Sequence, residues 1–252
     1  MSPNGASLWK RPRYQAGGGS SFLCFVVYGN VDLSTTLPAA KYRVQGMSEE
    51  LEIIQYDSPE YAAEVESFRK GQAWEDLKIR DSAFAANIAA QTSCTVLRGE
   101  LGDQRELYYL RDAVGIASWM VDQGGICVYD PQMFRWWTPE EWWRKAFEPV
   151  EPALRSQCVI LTSPEGEGSE WVHTRGMRKF GRPDISIRGV KPEWRSAAIG
   201  LCDRFIEFQA LGGLVGEGLE VNSPGFPEGF TCCGGGKLED PEFGNALIEI
   251  RQ

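Results

Sequence analysis

The side chains best suited to chemistry lie between His173 and Asp184. His173 is the only histidine of the chain, and Arg175, Arg178, Lys179 and Arg182 follow it closely. An unperturbed imidazole titrates near neutral pH, so any histidine-dependent acid/base or nucleophilic step must pass through His173. Guanidinium groups offer paired donors, and Arg175, Arg178 and Arg182 could clamp a phosphate or a carboxylate around it. This is the hydrolase or transferase reading, with an anionic small molecule as substrate. A single histidine excludes multi-histidine metal sites. The sequence holds no Gly-x-Ser-x-Gly elbow, which leaves Cys232 or Cys233 as the thiol that could serve a Cys-His arrangement.

The same segment has a second reading. Gly176 and Gly181 bracket a turn, Phe180 is placed to bury its ring beneath it, and Glu170-Trp171-Val172 and Ile185-Ser186-Ile187 flank it like short strands. A structural β-hairpin corner is the preferred account, with no catalytic residue assigned. Paired carboxylates at Glu49-Glu50, Glu140-Glu141 and Glu239-Asp240 read as helix starts or solvated faces, because sequence neighbours do not converge on one bond. The densest aromatic cluster is Trp136-Trp137-Thr138-Pro139-Glu140-Glu141-Trp142-Trp143. Four indoles in eight positions cannot all face one core from one short helix, so some are expected at a surface. Trp136, Trp137, Trp142 and Trp143, with Glu140 and Glu141, are therefore the candidate partner-binding residues.

Several elements must position these groups. Leu23 to Tyr28 and Leu51 to Tyr56 read as strands, and a helix begins at Ser58-Pro59. A short helix over 82–91 precedes a strand at 94–97. The clearest helix runs from about Asp103 to Gln123 and ends at Gly124-Gly125, before a strand that stops at Asp130-Pro131. Thr138-Pro139 caps another helix. Strands follow at 158–162, 172–174 and 185–187, then a long helix from Trp194 to Leu211 that ends at Gly212-Gly213, and a last strand at 246–250. Strands and helices mix without strict alternation. This predicts an α+β fold, a mixed and largely antiparallel sheet packed by two long helices, or two α/β layers. Residues 1–20 read as a disordered tail rich in Pro, Gly and Ser. Residues 21–252 read as a single domain, with 21–150 and 151–252 as alternative sub-lobes.

Composition limits the partners. The 252-residue chain has a net charge of −9, which argues against nucleic acid or an anionic membrane and favours a basic protein. No apolar run reaches the roughly 20 residues needed to span a bilayer. The seven cysteines sit mostly in apolar runs without zinc-type spacing, as expected of reduced thiols in a cytoplasmic protein. No metal or cofactor is expected.

The stretch Gly176-Met177-Arg178-Lys179-Phe180-Gly181-Arg182-Pro183-Asp184, with the closing segment Glu239-Asp240-Pro241-Glu242-Phe243-Gly244-Asn245-Ala246, resembles an uncharacterised bacterial family of cytoplasmic α+β domains. Such domains are similar to immunity proteins found beside bacterial toxin genes. The resemblance implies no catalytic residues. The acidic charge, the lack of a coherent catalytic constellation and the aromatic cluster lead to the expectation of a non-enzymatic protein that neutralises a cognate toxin by binding it, and the oligomeric state is left open.

Overall fold

In the computed structural model the described residues are 9–166, 168–238 and 244–252. The chain forms two compact units. Unit 1 takes Trp9, Leu23–Leu101 and Tyr108–Ala153; unit 2 takes Lys10–Phe22, Gly102–Leu107 and the described part of Leu154–Gln252. The fold is α+β, with one five-stranded, mostly antiparallel sheet in each unit.

Unit 1 is built on β1 (Ser21–Gly29), β2 (Leu51–Tyr56), β3 (Cys94–Leu101), β4 (Gly125–Asp130) and β5 (Arg135–Trp137), in the order β2-β3-β1-β4-β5. β1 is buried almost throughout, which fits its unbroken apolar sequence. Helices cover both faces of this sheet. On one side lie α1 (Ala62–Ser67), α2 (Gln72–Arg80) and α3 (Ser82–Ala89). The Tyr28 hydroxyl donates to the Val65 carbonyl of α1 at 2.7 Å. Buried Arg69 closes the end of α3 by donating to the carbonyls of Ile88, Ala89 and Gln91.

The other face carries α4 (Tyr108–Asp122) and the short α5 (Pro139–Trp142), which runs on as a π-turn over Trp143–Phe147. α4 is buried continuously from Tyr109 to Val121, so it is a central helix, beyond the single apolar stripe expected of it. It begins at Tyr108, later than the expected Asp103, whose carboxylate accepts from the Gly18 N–H and from Arg182.

Unit 2 contains β6 (Val159–Glu165), β7 (Ser169–Arg175), β8 (Asp184–Val190), β9 (Thr231–Lys237) and β10 (Asn245–Arg251), in the order β6-β7-β8-β10-β9. β10 runs parallel to β8 and antiparallel to β9. One face packs on α6 (Arg195–Ala210), where Val172, Ile185, Ile187, Ile248 and Ile250 meet Ala198, Leu201 and Cys202. These residues alternate along their strands, the period of two that a half-covered sheet requires.

Residues 9–20 do not hang loose as the tail reading expected. Arg13 and Gln15 donate their backbone N–H groups to Leu211 and Gly212, and Gly19 donates to Gly181. Residues 1–8 of that expected tail lie outside the described residues. So do Glu239 to Phe243, which hold the Glu239-Asp240 pair and most of the closing motif.

Candidate functional site

Within unit 2, β7 lies between β6 and β8, with His173 opposite Leu161 on one side and Ser186 on the other. Its ring stacks on Trp171 with centroids 3.9 Å apart, and only 3% of the residue is exposed. The Trp171 indole N–H donates to Ser186 Oγ at 2.9 Å, and the Arg188 guanidinium lies 4.2 Å from the Trp171 ring centroid. Burial first, then the charges of Arg175 and Arg188, push the His173 pKa down to about 4. The imidazole is therefore neutral near pH 7, with no proton to give as a general acid, and it is a weak base.

The register also separates it from the thiols. Crossing the sheet, His173 pairs with Ser186, Ser186 with Glu249, and Glu249 with Cys233. Three strand spacings of about 4.8 Å put Cys233 roughly 14 Å from His173. Cys232 points the other way into the core, where burial raises its thiol to about 11. A Cys-His pair is thereby ruled out. Ser186 and Glu249 are the neighbours that sequence spacing alone does not reveal. However, Ser186 is buried under the Trp171 contact, and Glu249 pairs with Arg251 at 3.4 Å.

The expected anion clamp is a set of fasteners. A guanidinium carries five N–H donors, and Arg182 uses all of them. It donates to the carbonyls of Gly213, Gly181, Gln15 and Gly212, and to Asp103 Oδ1 at 2.9 Å. Arg178 donates to the Gly244 carbonyl and lies over the Phe22 ring, while Arg175 is 8% exposed. Lys179, fully buried, donates to the Gln157 carbonyl at 2.9 Å. The arginine-clamp reading fails because these donors are committed to, or buried in, the fold.

Arg11, in the segment read as a tail, completes the arrangement. It donates to the carbonyls of Ala210, Gln209, Phe180 and Gln104, and its guanidinium stands 3.7 Å from Asp103. Arg11 and Arg182 thus flank one carboxylate and satisfy carbonyls at the C-terminus of α6, where the helix leaves orphan acceptors and partial negative charge. The glycine pair that ended this helix in the sequence was the visible signal; the arginines that close it were not.

Gly176 and Gly181 sit at φ 106° and 61°, at either end of a 3-10 turn over Met177–Phe180. A Cβ on Gly176 would strike the Gln157 carbonyl, and one on Gly181 the Gly19 carbonyl. Asp184 anchors the far side of this turn. It accepts from Thr174 Oγ1, the Met177 backbone N–H and Asn245 Nδ2, and burial raises its pKa to about 6 against those hydrogen bonds. The corner reading of this segment describes its geometry.

The tryptophan cluster lies in unit 1, and most of it is core. Trp136, Trp137 and Trp142 are at most 2% exposed, so they cannot be partner contacts. Adjacent residues on a strand point to opposite faces. Trp136 therefore stacks on Tyr129 at 4.0 Å and meets Trp74 of α2, while Trp137 meets Trp142 on the other face. Trp142 donates its indole N–H to Ser118 Oγ of α4 at 2.9 Å. The expectation of surface indoles assumed one core, whereas this sheet has two covered faces. Trp143 and Glu141 are half-buried and Glu140 is exposed. Thr138 Oγ1 caps α5 by accepting from the Glu141 N–H, and Glu141 pairs with Lys145 at 3.3 Å.

All seven cysteines are free thiols, and six are buried. Among the described residues there is no group of three His, Cys, Asp or Glu side chains placed to hold a metal ion. No helix there is long and apolar enough to cross a membrane. Comparison with protein-family models, with curated proteins and with solved structures finds no match.

Proposed function

We propose that this chain is a protein-binding module that works in the cytoplasm, and that unit 1 makes the contact with a basic partner. The observation that carries the reading is where the charge lies. Positions 23–101 and 108–153 hold nineteen Asp and Glu against eleven Lys and Arg; all other positions hold sixteen against fifteen. Nearly the whole net charge of −9 thus belongs to unit 1, and Asp57, Glu60, Glu64, Glu66, Glu75, Asp76 and Asp81 are exposed on or beside its helices. An excess of negative charge of this kind on one unit steers a cationic protein into encounter and raises its association rate. A basic bacterial toxin, neutralised by being covered, is the partner that the family resemblance adds.

The test is association with the product of the adjacent gene. Reversing Glu60, Glu64 and Asp76 to lysine together is expected to slow association about tenfold at low salt, with folding unchanged. The binding reading is lost if no neighbouring product binds and cells without this gene tolerate that product equally well.

A further inference from the structure

Each sheet ends in two outer strands, and an outer strand turns N–H and C=O groups toward any extended chain that reaches it. Three of the four are blunted. In unit 1, β5 is only three residues long. In unit 2, β6 carries Pro164, and β9 is covered by its own chain: the Cys232 N–H donates to the Leu219 carbonyl, the Gly218 N–H to the Cys232 carbonyl and the Gly234 N–H to Glu217. The fourth, β2, has none of these devices. It runs for six residues, Leu-Glu-Ile-Ile-Gln-Tyr, without Pro or Gly, and its single charge, Glu52, is paired with Arg98 of β3 at 2.6 Å.

The register shows which groups point outward. The Leu51 N–H donates back to the Ser48 carbonyl and is therefore turned away from β3. Alternate residues of an antiparallel strand share an edge, so the N–H and C=O groups of Ile53 and Gln55 lie on that same outer side. Among the described residues, no backbone group outside β3 is bonded to residues 52–56. Ile53, Ile54 and Tyr56 are half-buried, with Met47 and Tyr61 exposed beyond the two ends.

Charge selects what this edge would accept. Positions 44–68 hold seven carboxylates and no Lys or Arg, and all seven are exposed. Glu52 and Glu66 are paired with Arg98 and Arg69; Glu49, Glu50, Asp57, Glu60 and Glu64 form no ion pair among the described residues. The open strand is thus bracketed by uncompensated negative charge, which opposes a second copy of this acidic chain and suits a cationic one.

We propose that β2 is the seat of the contact: an extended segment of the basic partner, alternating apolar residues with Lys or Arg, adds to it as a further strand. Main-chain hydrogen bonds to Ile53 and Gln55 hold such a segment, and the carboxylates at either end select its charge. This rests on the protein-binding reading above and gives it a binding mode.

The probe is an alternating Lys-Val octapeptide offered to the full chain at low salt, beside a Glu-Val counterpart of opposite charge and a Lys-Pro counterpart that keeps the charge but cannot join a ladder. The Lys-Val peptide is expected to bind about tenfold or more tightly than either counterpart, and to slow amide hydrogen exchange at Ile53 and Gln55. Ile53→Pro removes an outer N–H and leaves the groups that face β3 in place, so it is expected to weaken the peptide about tenfold. Exchange in the parent chain reads the contact with no substitution at all. Equal binding of the Lys-Pro peptide, or unchanged exchange at Ile53 and Gln55 under saturating Lys-Val peptide, would overturn the proposal. So would a dimer of the chain that Ile53→Pro dissociates, because the edge would then belong to a second copy. If the adjacent gene product binds the parent and a folded Ile53→Pro variant equally well, the edge fails and the binding reading stands.

Discussion

The two units solve the problem of a stable interior with different residues. Unit 1 holds seven of the nine tryptophans and fills both faces of its sheet with rings. Unit 2 holds two, and at its helix end and turn it buries Arg11, Lys179 and Arg182 against backbone carbonyls. The first pattern gains from apolar area and ring geometry. The second gains direction, since each guanidinium fixes several chain segments at once, but it depends on every donor being matched. Chemical rarity in the sequence therefore marked the two structural centres.

The sharpest way to break this contrast is to remove a fastener. Arg182→Ala leaves four carbonyls without that donor and leaves Asp103 with the more distant Arg11 guanidinium, the Gly18 N–H and the Tyr14 hydroxyl. It is expected to cost about 3–5 kcal/mol, the loss seen when one member of a buried ion pair is deleted. Denaturant unfolding followed by tryptophan fluorescence measures it. A loss near zero would show that solvent replaces the guanidinium, and unit 2 would then resemble unit 1 after all.

The next effect concerns pH. His173 falls from 6.5 to about 4 in the fold, so between those values the unfolded chain binds the extra proton and stability rises with pH. Asp184 rises from 3.8 to about 6, so between those values the folded chain binds the extra proton and stability falls with pH. Each slope amounts to about 3 kcal/mol over its window, and the two nearly cancel. His173→Gln is expected to unmask a decline in stability from pH 4 to 6, relative to the parent. Asp184→Asn should unmask an increase over the same range. Parallel curves for parent and variants would show that neither group is shifted.

A smaller effect is expected in unit 1. Trp142→Phe keeps a ring against Phe25 and Trp137 but removes the hydrogen bond to Ser118, at a cost of about 1–2 kcal/mol. Its pH profile should match the parent, because the pair of opposed titrations belongs to unit 2. A loss as large as that of Arg182→Ala would blur the distinction between ring packing and directed fastening.

Much of the architecture was legible in the sequence. Short apolar or alternating runs gave β1, β2, β4, β8 and β10, and caps and glycine pairs gave α4 and α6 to within a few residues. β9 was not legible, because Thr-Cys-Cys-Gly-Gly-Gly-Lys has no apolar alternation and forms a strand through long-range pairing, chiefly with β10. The burial of the tryptophans was hidden for another reason. Density along a chain does not say that a strand has two covered faces. Arg11 was illegible because its partners lie up to 199 residues away, amid local Pro and Gly that suggest disorder.

The position of Arg11 also has a temporal meaning. Its segment is made before the rest of unit 2, yet the carbonyls it closes belong to Gln209 and Ala210. At about 5–20 residues per second, synthesis of the intervening chain takes roughly 10–40 s. During that interval the earliest-made part of unit 2 has no finished surface to join, while positions 23–153 have already been synthesised. The contacts between the oldest segment of unit 2 and α6 are therefore of high contact order, and they can form only once that helix has been made.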